Sequence, residues 1–269
     1  MPQEYISKTD TYWRIDGTGP RRAFLLHCTF AHSGAWKQLM GELGDVLTME
    51  AMDLPAHGRS GGRDLAVSWQ SQSVAMAVTI IQKGQSPIDL IGHSFGATVA
   101  IRIAVERPDL VRTLTLIEPV FFSAARDAGR PEYAAHMADH GDFYQLLEDG
   151  DFEGAAKGFS DMWGGPIEWQ FLPKEQQQYM IDRISLIQDS GDTALGIGDD
   201  YIPLSQIAKI RAPVLLVEGD QSEPIIGAVH AALHDALPNS QRFIVAGAGH
   251  MVPITHAKQV AAELRAWLS

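Results

Sequence analysis

The strongest constraint on the fold is the regular alternation of short apolar runs with longer segments of helical period along most of the chain. This alternation predicts parallel strands joined by crossover helices, because consecutive parallel strands need a long connection between them. Several of the runs, such as 213–217, are apolar throughout, which is typical of strands covered on both faces. The predicted class is therefore α/β, with a doubly wound, mostly parallel sheet of eight strands.

An opening pair of strands is predicted around residues 5–15, and six further strands follow it. These six are expected at 23–28, 47–52, 88–91, 113–117, 213–217 and 242–245. Helical spacing, with Pro, Gly or Asn nearby, marks the segments that connect them. These helices are expected at 35–43, 68–83, 95–106, 224–236 and 255–268.

The alternation stops between residues 120 and 205, where helical pieces are separated by glycines and no strand pattern appears. We therefore predict a helical cap at 120–205, inserted into a core formed by 1–119 and 206–269. The cap segment carries 16 acidic and 5 basic residues, and it holds 12 of the 22 aromatic residues. Most of these rings are expected to form the core of the cap, and a minority to line a pocket over the sheet.

Charge and composition bear on the partners of the chain. The net charge of −12 argues against nucleic acid or an anionic membrane as a partner, because phosphate binding requires a basic face. No run approaches the roughly 18 consecutive apolar residues that a membrane helix requires. The single cysteine and the absence of a secretory signal pattern predict a cytoplasmic protein. A monomer or a homodimer is expected.

A serine lies between two glycines at the junction of an apolar run and a helical pattern, in DLIGHSFGATVAIRIA. Gly92 and Gly96 allow the strand and the helix to approach closely, which holds Ser94 in a strained, accessible turn. A nucleophilic serine needs such a position, with a base nearby and amide donors for the oxyanion that its attack creates. Ser94 is therefore the candidate nucleophile.

Around this motif the chain resembles the α/β-hydrolase fold family, here the serine hydrolases and esterases with a helical cap, and the resemblance extends nearly end to end. The family's oxyanion segment is similar to LLHCTFAHSGAW, with Cys28 in place of a glycine. The resemblance implies that the backbone N–H groups of Thr29 and Phe95 form the oxyanion hole. The loop after the family's fourth strand resembles DLPAHGRSGG, in which Asp53 and His57 are expected to be structural.

The base is expected late in the chain, where AGAGHMVPITH matches the family's GxGH pattern at His250. Other histidines fit less well, since His93 is expected to point away from the pocket and His256 begins the final helix. His230 and His234 have the i,i+4 spacing of metal ligands, but HAALH lacks the glutamate of HExxH and has no obvious third ligand. No metal and no cofactor are expected.

The acid departs from the usual family pattern. In most members it follows the strand after the cap, where this chain reads VLLVEGDQSEP and Ser222 occupies the expected position. A serine cannot supply the negative charge that orients the imidazole and stabilises the imidazolium. Glu118, at the end of the strand before the cap, is the favoured acid, because some relatives carry their acid there. Asp220 is the alternative.

Together these residues predict acyl transfer to water by a carboxylesterase-like serine hydrolase, acting on a small, uncharged ester through an acyl-enzyme intermediate. The acidic cap disfavours polyanionic substrates, and its aromatic residues favour a partly apolar small molecule. Several alternatives remain open on the same scaffold: amide or C–C bond hydrolysis, cofactor-free lyase or peroxidase chemistry, and a ligand receptor with slow turnover.

Overall fold

The computed structural model describes residues 2–164, 167–198 and 200–269. The strands are β1 (Gln3–Ile6), β2 (Thr9–Asp16), β3 (Arg21–Leu26), β4 (Leu47–Met52), β5 (Ile88–His93), β6 (Val111–Ile117), β7 (Val214–Gly219) and β8 (Ser240–Val245). Within the described part of the chain they form one eight-stranded sheet in the order β1-β2-β4-β3-β5-β6-β7-β8. The β1–β2 and β2–β4 pairs are antiparallel. The other five neighbouring pairs, β4–β3, β3–β5, β5–β6, β6–β7 and β7–β8, are parallel. The predicted α/β class and mostly parallel sheet are therefore confirmed.

Helices connect the strands and cover both faces of the sheet. They are α1 (Lys37–Leu43), α2 (Trp69–Ile81), α3 (Phe95–Glu106), α4 (Phe122–Asp127), α5 (Pro131–Asp139), α6 (Gly141–Asp149), α7 (Phe152–Trp163), α8 (Lys174–Ile181), α9 (Ser185–Leu195), α10 (Leu204–Ile207), α11 (Pro224–Ala236), α12 (Val252–Thr255) and α13 (Ala257–Leu268). The helix expected at 35–43 begins with a 3₁₀ turn, Ser33–Trp36, which the side chain of His32 caps. None of the helices in the described ranges is both long enough and apolar enough to cross a membrane.

The central strands are buried on both faces, as their apolar runs predict. In β3, Phe24 and Leu26 pack into one large apolar cluster, whereas Ala23 and Leu25 pack into a second cluster on the opposite face. Successive side chains of a strand point to opposite faces, so both sets can be buried only where helices cover both sides of the sheet. The core is therefore two apolar layers that hold the sheet between them.

The segment between β6 and β7, which the sequence predicts as a cap, contains α4 to α10. A third apolar cluster lies within this segment and is built from Phe143, Leu147, Ala155, Ala156, Trp169, Met180 and Ile184. The start of the segment is different, because Phe121 and Phe122 pack with the main core. Residues 165, 166 and 199 of the predicted cap lie outside the described residues.

The turn from β5 to α3 is packed too tightly for any side chain at its two glycines. A Cβ atom added at Gly96 would lie 2.3 Å from the carbonyl oxygen of Leu26. One added at Gly92 would lie 2.4 Å from the carbonyl oxygen of Gly96. Backbone atoms cannot move aside as the end of a side chain can, so glycine at both positions sets how closely the strand and helix approach.

Replacing Gly96 by alanine is expected to lower the free energy of unfolding by about 1–3 kcal/mol, because the new Cβ atom collides with backbone. Urea denaturation measures this change. Gly41→Ala is the matched control, since Gly41 lies within α1 and an added Cβ has nothing within 4 Å. That control should gain about 0.5–1 kcal/mol from helix propensity. Equal effects of the two substitutions would contradict this account of the turn.

His230 is a buried polar side chain in α11. It has 0% exposure, and neither ring nitrogen has a hydrogen-bond partner among the described residues. Burial, with a smaller effect of the nearby Arg242 guanidinium, lowers the pKa of His230 to about 3. The unfolded chain therefore binds a proton near pH 6.5 that the folded protein cannot bind. The neutral, buried His230 therefore makes the folded protein more stable relative to the unfolded chain at neutral pH than in acid. This contribution is fully present above pH 6.5 and is lost as the pH falls from 6.5 towards 3.

We expect His230→Leu to raise the free energy of unfolding at neutral pH, because an apolar side chain of similar size replaces an unpaired polar ring. The substitution should also flatten the acid dependence of stability, by up to about 1.4 kcal/mol per pH unit between pH 6 and 4. Urea denaturation of both proteins across this range tests both effects. Parallel pH profiles would show that His230 is protonated to the same extent in both states.

Candidate active site

Ser94 lies between the last residue of β5 and the first residue of α3. Its backbone adopts φ 55° and ψ −120°, a left-handed conformation that costs a non-glycine residue about 1–3 kcal/mol. The N–H of Ser94 donates to the carbonyl oxygen of Ile117 at 2.9 Å, which ties this strained residue to β6. The strain is held by the close strand–helix packing, and it places the side chain at the N-terminal end of α3.

His250 links Ser94 to a carboxylate. Its Nε2 lies 2.9 Å from Ser94 Oγ, and its Nδ1 lies 3.1 Å from Glu118 Oε2. Both distances are within hydrogen-bond range, so the imidazole lies between a hydroxyl and a carboxylate. The structure thus brings together the predicted nucleophile, the predicted base and the favoured acid.

Glu118 is completely buried and directly follows β6. Like Ser94, it has a left-handed backbone, with φ 51°. Its Oε1 accepts hydrogen bonds from the N–H of Gly219 at 2.7 Å and from the Ser222 hydroxyl at 2.9 Å. The remaining oxygen, Oε2, faces His250. Both oxygens therefore have partners, and these fix the orientation of the carboxylate towards the imidazole.

Asp220, the alternative acid, lies in a different environment. Its side chain is exposed, and its Oδ1 accepts hydrogen bonds from the N–H of Gly247 at 2.7 Å and from Gln221 Nε2 at 3.1 Å. In the described part of the chain, no hydrogen bond or ion pair joins Asp220 to His250. Its contacts support the turn after β8.

His93, which the sequence analysis set aside as a rival base, has a contact with the His250 loop that was not predicted. Its Nε2 lies 2.8 Å from the carbonyl oxygen of His250 and donates to it, since a carbonyl can only accept. Burial, and then repulsion from the neighbouring His250 ring, lower the pKa of His93 to about 3. A neutral His93 therefore anchors the backbone of the histidine that contacts Ser94. The adjacency of His93 to Ser94 was the available signal, but only the fold shows which loop it meets.

Thr29 and Phe95, the predicted oxyanion donors, both line the cavity that His250 lines. Phe95 is the first residue of α3, so its N–H belongs to the positive end of the helix dipole.

Cys28, which replaces the family's glycine, is buried, and this burial raises the pKa of its thiol to about 12. The thiol is therefore neutral at physiological pH.

The loop after Thr29 is held by His57. The N–H of Phe30 donates to His57 Nε2 at 3.0 Å, and His57 Nδ1 lies 3.0 Å from the carbonyl oxygen of Pro55. Burial is the main cause of a His57 pKa of about 3, so the ring is neutral and Nε2 can accept. This backbone contact agrees with the structural role expected of His57. Asp53 likewise accepts from the N–H groups of Ser33 and Arg59.

A stack of rings connects this loop to α3. The Trp69 ring stacks on Phe95 with a centroid separation of 3.8 Å, and on His57 with a separation of 5.3 Å. Trp69 Nε1 also donates to the carbonyl oxygen of Pro55 at 3.1 Å. Phe95, a predicted oxyanion donor, and His57, which holds the loop after Thr29, therefore both pack on one buried tryptophan that the sequence analysis did not single out.

Beside His250 and Phe95 lies a cavity of about 50 Å³, lined largely by aromatic rings of the segment between β6 and β7. These rings belong to Phe122, Phe143, Tyr144, Phe159 and Trp163. Trp163 also packs edge-to-face against His250, with ring centroids 4.9 Å apart. Within the described part of the chain, no Asp, Glu, Lys or Arg side chain lines the cavity. The lining of this cavity is therefore mostly apolar and carries no carboxylate, ammonium or guanidinium group among the described residues.

The described residues include no group of three or more His, Cys, Asp or Glu side chains placed to hold a metal ion. His230 and His234, which share the spacing of metal ligands, differ in environment. His230 is buried, whereas His234 is exposed and its Nδ1 lies 2.9 Å from Ser240 Oγ.

Comparison with known proteins establishes the family. Residues 23–263 match the model of the alpha/beta hydrolase family, and the chain belongs to this family. Lipase LipV of Mycobacterium tuberculosis is 34% identical over 108 residues, which is 39% of this chain and 40% of LipV. The pimeloyl-[acyl-carrier protein] methyl ester esterase of Klebsiella pneumoniae is 31% identical over 153 residues, or 56% of this chain and 55% of the esterase. The matched region thus spans less than two thirds of either relative.

Among solved structures, the esterase EaEST from Exiguobacterium antarcticum superposes with a TM-score of 0.74 at 17% sequence identity. The superposition covers 96% of this chain and 95% of EaEST. At this level of identity the likeness shows a shared fold.

The different contacts of Glu118 and Asp220 predict a difference in the reactivity of Ser94. Glu118→Gln keeps the size of the side chain but removes its charge, so labelling of Ser94 by a fluorophosphonate probe should slow by about 10⁴-fold. Asp220→Asn is the matched control and should label at the wild-type rate. Intact-protein mass spectrometry over time measures both rates. Slow labelling of Asp220→Asn beside normal labelling of Glu118→Gln would reverse the assignment.

Proposed function

We propose that this protein is a serine hydrolase that cleaves a small, uncharged carboxylic ester through an acyl-enzyme intermediate. The observation that carries the proposal is the 2.9 Å contact between Ser94 Oγ and His250 Nε2, in an imidazole whose other nitrogen faces a buried carboxylate. Membership of the alpha/beta hydrolase family supports it. So do the sequence matches to a lipase and a methyl ester esterase.

In the first half of the reaction, Ser94 Oγ attacks the ester carbonyl carbon while its proton moves to His250 Nε2. Glu118 accepts the hydrogen bond of His250 Nδ1–H and stabilises the imidazolium that forms. The backbone N–H groups of Thr29 and Phe95 donate to the oxyanion of the tetrahedral intermediate. When this intermediate collapses, the carbon–oxygen bond to the alcohol breaks, His250 donates its proton to the alcohol, and the acyl group remains on Ser94.

In the second half, water takes the place of the alcohol. His250 accepts a proton from the water as its oxygen attacks the acyl carbon, and then returns that proton to Ser94 Oγ. The carboxylic acid is released and the free serine is restored. These steps use only groups of this chain and the two reactants, a small-molecule ester and water.

The lining of the cavity beside His250 supports an uncharged substrate. A charged group would lose its hydration there without meeting an oppositely charged side chain among the described lining residues. The aromatic rings instead offer apolar surface to an acyl group. The strongly acidic cap segment acts in the same direction, because its field repels anionic molecules.

Hydrolysis of p-nitrophenyl acetate tests this proposal. We expect measurable turnover by the wild-type protein and a loss of about 10⁶-fold in kcat, to background, for Ser94→Ala. Ser123→Ala is the control, because Ser123 is also buried and its hydroxyl has no hydrogen-bond partner among the described residues. This control should keep wild-type activity. Equal ester hydrolysis by Ser94→Ala and wild type would exclude Ser94 as the nucleophile.

A further inference from the structure

We infer that Arg183 is a positioning residue for the proposed oxyanion hole, which it supports from the segment between β6 and β7. Arg183 lies between α8 and α9. Its guanidinium holds residues 54–58, here called the β4 loop because they follow β4, and this loop fixes the backbone on both sides of Thr29. The inference rests on the proposed ester hydrolysis and assigns a further residue to the same site.

Arg183 binds the β4 loop through a backbone carbonyl group. Its Nε donates to the carbonyl oxygen of Ala56 at 2.7 Å. The guanidinium also lies over the Tyr179 ring, 3.8 Å from the ring centroid, and Nη1 donates to the carbonyl oxygen of Tyr179 at 3.2 Å. Stacking and hydrogen bonding on α8 hold the planar guanidinium in one orientation. Its remaining donor is therefore kept directed at the β4 loop.

Ala56 is a residue that needs such support. Its φ angle is 64°, in the left-handed region that is unfavourable for a residue with a Cβ atom. The N–H of Ala56 donates to the carbonyl oxygen of Gly61 at 2.8 Å, and its own carbonyl accepts from Arg183. These two hydrogen bonds lie on either side of the strained residue. Removing the Arg183 donor therefore allows the backbone around Ala56 to relax.

His57, the next residue, connects the β4 loop to the loop that contains Thr29. Its Nε2 accepts from the N–H of Phe30, whose backbone is also left-handed, with φ 62°. The Tyr179 ring packs edge-to-face against the His57 ring, with centroids 6.4 Å apart. Burial is the main cause of the His57 pKa of about 3, and the His27 ring and the Arg183 charge lower it further. Arg183 thus helps to keep His57 neutral and able to accept.

His27 connects the β4 loop to the other side of Thr29. Its Nε2 accepts from the N–H of Leu54 at 3.0 Å, so the proton of the neutral ring is on Nδ1, which donates to the carbonyl oxygen of Cys28 at 2.7 Å. The Cys28 carbonyl and the Thr29 N–H belong to one planar peptide and point in opposite directions. Fixing the carbonyl therefore sets the direction of the N–H, which is the proposed oxyanion donor.

The contacts of Arg183 thus lie between the two points at which the β4 loop meets the Thr29 loop. Arg183 binds Ala56, whereas Leu54 and His57 make the bonds to the Thr29 loop. A hydrogen bond weakens steeply when its angle is wrong, so a small movement of the Thr29 peptide lowers its value as a donor. The oxyanion forms only in the reaction. Loss of Arg183 should therefore lower kcat more than it changes KM.

The first test is the rate of p-nitrophenyl acetate hydrolysis by Arg183→Met. This change keeps a long side chain beside Tyr179 but removes the donors, and Arg183 is only partly buried, so the core stays intact. We expect kcat to fall by about 10–100-fold, with KM changed by less than about twofold. Arg183→Lys, which keeps the charge and one donor group, should recover part of the loss.

Arg130→Met is the matched control. Arg130 also lies in the segment between β6 and β7, and its Nη2 donates to Asp235 of α11 at 2.6 Å, so it joins this segment to the core at a different place. The control should keep the wild-type kcat. An equal loss of kcat in Arg130→Met and Arg183→Met would show a general effect of loosening this segment, and would overturn the positioning role.

A double-mutant cycle tests the route through His57. His57→Leu should lower kcat by itself, because Phe30 loses its acceptor. If Arg183 acts through the β4 loop, the variant with both His57→Leu and Arg183→Met should lose clearly less than the product of the two single losses. Losses that multiply would show that the two residues act independently, and would contradict the route.

Hydrogen exchange of backbone amides gives a measurement that does not depend on ester turnover. The N–H groups of Phe30 and Leu54 should exchange about tenfold faster in Arg183→Met than in the wild type. The N–H of Ser94, which donates to Ile117, should keep its wild-type rate. A global loss of stability would speed exchange of all three amides alike. That result, or unchanged exchange at Phe30 and Leu54, would overturn the inference.

The outcomes distinguish this inference from the proposed function. Wild-type kcat in Arg183→Met, beside normal ester turnover by the wild-type protein, would overturn the role of Arg183 and leave ester hydrolysis intact. Absence of both ester turnover and fluorophosphonate labelling of Ser94 in the wild-type protein would overturn the proposed function, and the positioning role with it.

Discussion

The hydrogen bond between Ser94 and His250 is the interaction on which the site depends, and the chain supplies its two partners from positions 156 residues apart. A hydrogen bond of this kind contributes only about 0.5–1.5 kcal/mol net, so it cannot hold the two elements together. The sheet does so instead. Gly96 allows the Ser94 turn to pack closely against the end of β3, Gly92 allows β5 to pack closely against the start of α3, and a neutral His93 ties the His250 backbone to the end of β5. The strained serine is thereby held within reach of the base.

The position of the carboxylate follows from the same sheet. Because β6 and β7 are parallel neighbours, their carboxyl ends meet at one edge, and a side chain from either strand end can reach the histidine loop after β8. In this protein the end of β6 supplies Glu118. The end of β7 supplies a backbone N–H and the Ser222 hydroxyl, both of which donate to that carboxylate. Ser222, at the position where the family usually has its acid, therefore donates a hydrogen bond. The carboxylate is that of Glu118, at the end of the adjacent strand.

Buried neutral histidines form the framework around the reactive one. Burial is the main reason that His27 has a pKa of about 4 and that His57 and His93 have pKa values of about 3. A neutral ring donates through one nitrogen and accepts through the other, whereas an imidazolium can only donate. His27 and His57 use both abilities, accepting from the N–H groups of Leu54 and Phe30 respectively. Neutral imidazoles thus fix two loops beside Ser94 without adding charge to an apolar site.

The sequence by itself determined the α/β class, the strands of the sheet and the identities of the candidate nucleophile and base. Local sequence patterns predict those features. These patterns are the alternation of apolar runs, the glycines around Ser94 and the glycine-containing loop at His250. Only the tertiary structure decided that Glu118 faces His250, that His93 and Trp69 support the site, and that Phe159 and Trp163 line the cavity beside His250. These are contacts between residues far apart in the chain. They depend on strand order, register and helix packing, which no short stretch of sequence encodes.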